Sequence, residues 1–136
     1  MTLLEFLSIF GINKTTNFDL MDICKSLNLD VKILMSDEIK NAKELNIINY
    51  QSSKDQGSHW CCFCKSKRFY FDSYGVIPPK EIFEYFQNDF TYNTLQIQDE
   101  SLKCCGQLCC FVLFKSSLGV NFENIVLDMY NKIKNI

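Results

Sequence analysis

One imidazole and a group of thiols are the side chains of this chain that could carry out covalent chemistry. The sequence contains a single histidine, His59, and eight cysteines, four of which fall between positions 101 and 110. A histidine that takes the proton of a thiol, and later gives it to a leaving amine, turns one cysteine into a nucleophile. The first hypothesis for this sequence is therefore acyl transfer through a cysteine.

Cys105 is the thiol best placed for that role. It stands where a polar segment meets an apolar stretch that we predict to be a helix, and Gly106 follows it. A helix N-terminus supplies partial positive charge and free amides, which favour a thiolate over a thiol. Gly106 would let a substrate backbone approach closely because it has no side chain. We predict that Cys109 and Cys110 are core thiols.

A carboxylate that could orient the histidine is Asp72. The pattern predicts a hairpin in which strand 59–65 turns at 66–67 and returns through 68–75. This register brings Asp72 towards His59, where it could accept a hydrogen bond from one ring nitrogen. Asp72 could equally cap a turn at the end of its strand, so the sequence alone leaves two interpretations.

An oxyanion hole requires donors beside the thiolate. The backbone amide of Cys105 is one, and a side-chain amide could be the second. Gln96 and Gln98 both lie in segment 92–98, which we predict to be a strand, and either could instead face water. Trp60 follows the histidine directly and could shield it from solvent.

The segments "HW", "FDSYG" and "QDESLKCCGQLCC" together resemble the adenovirus-type cysteine proteases, the adenain family. The resemblance covers roughly residues 30–118. It implies a triad of Cys105, His59 and Asp72, and it selects Gln98 as the oxyanion donor because the family has a glutamine seven residues before its Cys-Gly pair. It also implies a papain-related fold in which the nucleophile begins a buried central helix.

The resemblance implies a function as well. We expect a thiol endopeptidase that cuts viral capsid or core precursor proteins during virion maturation, found in the virion and in the nucleus or cytoplasm of the infected host cell. Its partners would be protein substrates, bound near Trp60 and Gly106, and we expect a monomer. The adenovirus enzymes use a disulfide-linked peptide and DNA as cofactors. Because this chain has no basic stripe and no recognisable peptide-coupling cysteine, we predict no cofactor.

Three alternatives remain open. A protease of ubiquitin-like modifiers would use the same triad, although the related SUMO-specific proteases typically carry Asp where this chain has Cys104. A non-enzymatic metal-binding module could draw its ligands from two groups of thiols. These are Cys61, Cys62 or Cys64 in the first group and Cys109 or Cys110 in the second. A disulfide framework is disfavoured because adjacent cysteines pair with strained geometry.

Length and composition indicate what class of protein these hypotheses must fit. The chain has 136 residues, 47% of them hydrophobic, and a formal net charge of −2. We predict one domain over 1–136, in which 1–16 is either a packed helix or a loosely packed N-terminal arm. The short apolar stretch near the N-terminus is too short to span a bilayer, so we expect no membrane partner. The charge does not suggest nucleic acid.

The predicted fold class is α+β, with a small, mostly antiparallel sheet flanked by helices. The elements would be helix 17–29 capped by Asn17, strand 31–35, a short helix from Ser36, strand 46–50, loop 51–58, the hairpin, a helix after Pro78 and Pro79, strand 92–98, a buried helix ending near Gly119 and a terminal helix from Asn121.

Overall fold

The structure is a computed structural model and describes residues 1–51, 58–99 and 101–135. Within these ranges the elements are α1 (Leu3–Phe10), α2 (Asn17–Ser26), β1 (Val31–Met35), β2 (Leu45–Gln51), β3 (Ser58–Cys64), β4 (Phe69–Phe71), α3 (Lys80–Tyr85), β5 (Thr91–Tyr92), α4 (Cys105–Ser117) and α5 (Phe122–Lys132). Short 3-10 turns lie at Ile39–Asn41 and Ile133–Asn135. The α+β class is confirmed.

The five strands form one sheet in the order β1-β2-β3-β4-β5. The central strands β2, β3 and β4 pair antiparallel, whereas β1 pairs with β2, and β4 with β5, in parallel. The sheet is therefore mixed, and the prediction of a mostly antiparallel sheet holds for its centre but not for its two edges. A parallel neighbour requires a crossover connection. Between β4 and β5 that crossover carries α3, a helix that the sequence did indicate.

The sheet is covered on both faces. Towards α4 it presents Ile47, Trp60, Cys62 and Phe71, and towards α3 it presents a second apolar cluster that includes Phe63. The helix α4 is buried from its first residue to Leu113, as expected for a stretch that is apolar nearly all round. A central helix packed on the sheet fixes where its N-terminus lies.

The N-terminal segment folds as a packed helix. Thr2 and Glu5 form a reciprocal capping box at the start of α1. Leu3 and Phe6 are fully buried, and the Phe6 ring lies edge-on to Phe111 of α4 with ring centroids 5.3 Å apart. Among the helices that the structure describes, none has the length and apolar character needed to span a membrane.

Several predicted boundaries differ from the structure. Thr16, not Asn17, caps α2, and the helix predicted from Ser36 is only the 3-10 turn at Ile39–Asn41. The predicted strand at 92–98 is wrong beyond Tyr92, where β5 ends. Loop 51–58 lies outside the described residues except for its two end residues, which belong to β2 and β3.

The return strand of the hairpin is shorter than predicted. β4 ends at Phe71, and the chain then turns, with the amide of Gly75 donating to the carbonyl oxygen of Asp72 at 2.9 Å. Gly75 has a φ of +68°, and a Cβ there would lie 2.7 Å from the Thr94 carbonyl oxygen. The turn therefore requires glycine and leaves Asp72 at the end of the strand.

Candidate active site

His59 and Asp72 meet at one end of the sheet. His59 lies near the start of β3, and Asp72 directly follows the antiparallel neighbour β4. The Nε2 atom of His59 lies 2.7 Å from Oδ1 of Asp72, which is hydrogen-bond distance. The side chain of Asp72 is 9% exposed and that of His59 is 17% exposed. The carboxylate is thus largely withdrawn from water, while the ring keeps an open edge.

Asp72 is held by the backbone amide of Tyr74 and by the buried side-chain amide of Asn93. The side chain of Asn93 accepts a hydrogen bond from the Asp72 amide at 3.0 Å and donates one to the Asp72 carbonyl oxygen at 2.6 Å. Oδ1 of Asp72 also accepts a hydrogen bond from the Tyr74 amide at 2.8 Å. Both predicted interpretations of Asp72 therefore hold, since it caps a turn and contacts the histidine.

The imidazole is also held from its face. The ring of Tyr74 lies against that of His59, with centroids 4.5 Å apart and a 32° angle between the planes. A stacked neighbour restricts rotation of the imidazole about its side-chain bonds. Tyr74 and Asn93 are site residues that sequence reasoning missed, because neither stands beside the histidine or the cysteine in the chain.

Cys105 is the first residue of α4, as predicted. Its Sγ atom accepts a hydrogen bond from the Trp60 amide at 3.5 Å, and the thiol lies near enough to the His59 ring to help raise the pKa of that ring. Because Nε2 of His59 faces Asp72, Nδ1 is the nitrogen left for the thiol. The residue before the helix, Cys104, provides no side-chain cap for the first amides of α4, which have no partner within the helix itself.

The proton balance of the site favours a charged ring. Burial alone would lower the pKa of His59, but hydrogen bonds to Asp72, Cys105 and Cys61 outweigh it and raise that pKa to about 12. The imidazole therefore holds its proton at neutral pH.

Gln98 is buried close to the predicted nucleophile. It is 1% exposed, whereas Gln96 is exposed. Its Nε2 atom donates to the Leu102 carbonyl oxygen at 2.9 Å, and its Oε1 atom lies 3.9 Å from the Cys104 thiol. The side-chain amide thus lies against the loop that leads into Cys105, and it carries a second N–H for another acceptor.

Trp60 and Gly106 lie on the sheet face that carries α4. The Trp60 indole is 4% exposed and donates to the Thr15 carbonyl oxygen at 3.2 Å. A Cβ at Gly106 would lie 2.3 Å from Oγ1 of Thr15 and 2.7 Å from a methyl carbon of Leu20. The prediction that Gly106 makes room for a substrate therefore needs correction, because the room is filled by the chain's own N-terminal segment.

A groove of about 660 Å³ adjoins this site. Its lining includes Trp60 and Thr15, both of which contact the start of α4, and extends to Met21, Leu34 and Asn49. Thr15 and Asn49, two of its lining residues, each carry a buried side-chain oxygen without a hydrogen-bond partner in the described part of the chain. The Thr15 oxygen faces Gly106 of α4.

Comparison with known proteins does not identify the chain. It matches none of the family models, none of the curated proteins and none of the solved structures with which it was compared. The resemblance to the adenain family therefore remains a prediction based on sequence motifs, and the site has to be interpreted from its own geometry.

The remaining thiols are buried and free, as are Cys104 and Cys105. Cys24 and Cys110 face each other with sulfur atoms 3.7 Å apart. Cys61 points to the opposite face of the sheet from Cys62 and Cys64, because neighbouring residues of a strand alternate. In the described residues, the one group of three possible metal ligands within 4.8 Å of one another is His59, Cys61 and Asp72, so the site predicted from the two groups of thiols is not assembled there.

Proposed function

We propose that the protein is a thiol endopeptidase with Cys105 as nucleophile, His59 as acid and base, and Asp72 as the orienting carboxylate. The observation that carries this proposal is the convergence of the three side chains from α4, β3 and the turn after β4. Nε2 of His59 contacts Asp72, and the Cys105 thiol lies near enough to the same ring to raise its pKa. This is the connectivity that a thiol–imidazole–carboxylate triad requires.

The reaction would begin with Cys105 as a thiolate whose proton is already held on Nδ1 of the charged His59 ring. The thiolate attacks the carbonyl carbon of a peptide bond, a C–S bond forms, and the carbonyl oxygen becomes an oxyanion. His59 then returns the proton to the leaving amine as the C–N bond breaks. A water molecule, deprotonated by His59, hydrolyses the acyl-enzyme and restores the thiol. Asp72 stabilises the imidazolium in both halves of the cycle.

The oxyanion would be stabilised at the start of α4. The Cys105 amide is one donor, and the positive end of the helix dipole points to the same place. Gln98 is the second donor in this proposal, acting through the N–H that is not bonded to Leu102. Its near-complete burial supports this role, since a buried amide keeps a fixed orientation.

The groove beside Trp60 favours a polypeptide substrate. An extended peptide presents N–H groups at regular intervals, and Asn49 in the groove lining carries a side-chain oxygen without a hydrogen-bond partner in the described residues. The apolar side chains of Met21 and Leu34 would then contact a substrate side chain. We extend the proposal, on the sequence resemblance, to a papain-related adenain-like fold and to viral capsid or core precursors as substrates.

A thiol-directed electrophile tests the assignment of the nucleophile. We expect it to label Cys105 first at neutral pH, with the seven other thiols of the same folded protein as internal controls. Peptide mapping that finds another cysteine labelled first would overturn the assignment. Turnover of a peptide library should vanish in Cys105→Ala, and retained turnover would refute the triad. Cleavage of modifier conjugates but not of the library would favour the ubiquitin-like alternative.

A further inference from the structure

A second thiol stands beside the histidine on the side away from Cys105. Cys61 lies two residues after His59 on β3, so both side chains point to the same face of the sheet. One ligand atom from each of His59, Cys61 and Asp72 lies within 4.8 Å of the other two. The peptidase mechanism uses His59 and Asp72 but has no role for Cys61.

We propose that His59, Cys61 and Asp72 bind a divalent zinc ion, and that this ion blocks the triad. Imidazole, thiolate and carboxylate are the three side-chain classes that zinc prefers. A tetrahedral zinc ion places its ligand atoms roughly 3.3–3.5 Å apart. The His59–Asp72 pair, now at 2.7 Å, would open by well under an ångström to admit it.

Charge supports zinc at this buried position. Cys61 is 1% exposed, and a lone thiolate or an unpaired cation there would be costly. A zinc ion with one thiolate, one carboxylate and one neutral imidazole sums to zero charge. Binding would release the Cys61 thiol proton and the proton on Nε2 of His59, with no change of oxidation state.

The surroundings provide partners for a fourth ligand. Tyr50 lies opposite His59 in the β2–β3 register, and its hydroxyl is buried without a hydrogen-bond partner in the described ranges. Burial raises the pKa of the Cys61 thiol, and Tyr70 lies near that thiol and acts to lower its pKa by a smaller amount. A water molecule on the zinc ion could donate a hydrogen bond to Tyr50. The ion would reach the cluster along the exposed edge of His59.

The consequence for activity rests on the proposed peptidase function. With zinc on Nε2, the ring loses its contact with Asp72, and its remaining proton stays on Nδ1. His59 can then no longer accept the proton of Cys105. Zinc would therefore be a reversible inhibitor that a chelator removes, whereas zinc binding itself does not depend on any peptidase activity.

The test is zinc affinity of the reduced full-length protein, measured by chelator competition, in wild type, Cys61→Ala and Cys62→Ala. Cys62 is the matched control because it is the adjacent buried thiol of the same strand on the opposite face. We expect one zinc per chain, a loss of affinity of at least about 100-fold in Cys61→Ala, and little change in Cys62→Ala. Equal affinity in all three proteins, or equal loss in both variants, would overturn the proposal.

Cobalt provides a second measurement on the same proteins. Co²⁺ at this site should show thiolate charge-transfer absorption in wild type and in Cys62→Ala but not in Cys61→Ala. If Cys61→Ala fails to fold, Asp72→Asn must lower zinc affinity in its place. Zinc binding that needs Cys61 in a protein without peptidase activity would defeat the proposed function alone. Peptidase activity that zinc does not inhibit would overturn the zinc proposal and leave the proposed peptidase function standing.

Discussion

The side chain of Asn93 forms two hydrogen bonds with the backbone of Asp72. Its amide accepts from the Asp72 N–H at 3.0 Å and donates to the Asp72 carbonyl oxygen at 2.6 Å. The two residues are 21 positions apart, so this contact joins the end of β4 to the segment after β5. The placement of the carboxylate therefore depends on a residue that never touches the substrate.

Asn93→Ala should lower kcat by about 10-fold to 100-fold, because a carboxylate displaced by about 1 Å no longer orients His59. KM should change little, and the folded state should persist. The control is Asn46→Ala. Asn46 is buried near the start of β2, and its side chain makes the same pair of hydrogen bonds to the backbone of Lys43. Equal losses of kcat in both variants would show a general effect on stability and not a positioning role.

Gln98→Ala should reduce kcat by about 10²–10³-fold, the usual effect of losing one oxyanion donor. The rate at which a small alkylating reagent modifies Cys105 should stay the same, because alkylation develops no oxyanion. Gln96→Ala is the control, since this glutamine is exposed and donates a hydrogen bond to the Gln98 carbonyl oxygen without belonging to the proposed oxyanion hole. A parallel fall in the alkylation rate would instead mean that Gln98 only supports the loop before Cys105.

The charge on His59 should make stability depend on pH. Its pKa is raised from 6.5 to about 12 in the folded protein. Its contribution to stability is therefore complete below about pH 6.5 and is lost as the pH rises towards 12. Urea unfolding at several pH values should show a steeper loss between about pH 7 and pH 10 for wild type than for His59→Gln. Identical pH profiles would mean that the ring is neutral in the folded state.

Gly106→Ala should lower the free energy of unfolding by about 1–3 kcal/mol, the usual cost of overpacking a core. The added methyl group would lie 2.3 Å from Oγ1 of Thr15. Thr15→Ala removes that atom, so the double variant should recover part of the loss, which a double-mutant cycle from urea unfolding measures. Strictly additive effects would show that the two positions are not in contact.

Local patterns predicted the parts of this molecule that depend on short stretches of chain. The helix from Cys105 follows from an apolar run, and the approach of Asp72 to His59 follows from hairpin register. The strand predicted over 92–98 failed because the chain turns after Tyr92. The amides of Ile97 and Gln98 both donate to the Ser73 carbonyl oxygen, so these neighbours are buried together and do not alternate.

Contacts between distant segments could not be predicted in this way. Nothing near Gly106 in the sequence indicates that Thr15 and Leu20 cover it, because that contact depends on how α2 docks on α4. The roles of Asn93 and Tyr74 could not be predicted either, since each residue acts on a neighbour that only the fold brings close. Parallel pairing at the sheet edges likewise follows from the paths of the connections and not from the strands themselves.

Because all eight cysteines are free and buried, the rate at which their thiols react can report how fast the protein unfolds. A colour-forming disulfide reagent should react with Cys105, at the N-terminus of α4, in a fast phase. The other seven thiols should react only as quickly as unfolding exposes them. The slow phase would then report the unfolding rate without any added label, and a ligand that tightens the native state would visibly lengthen it.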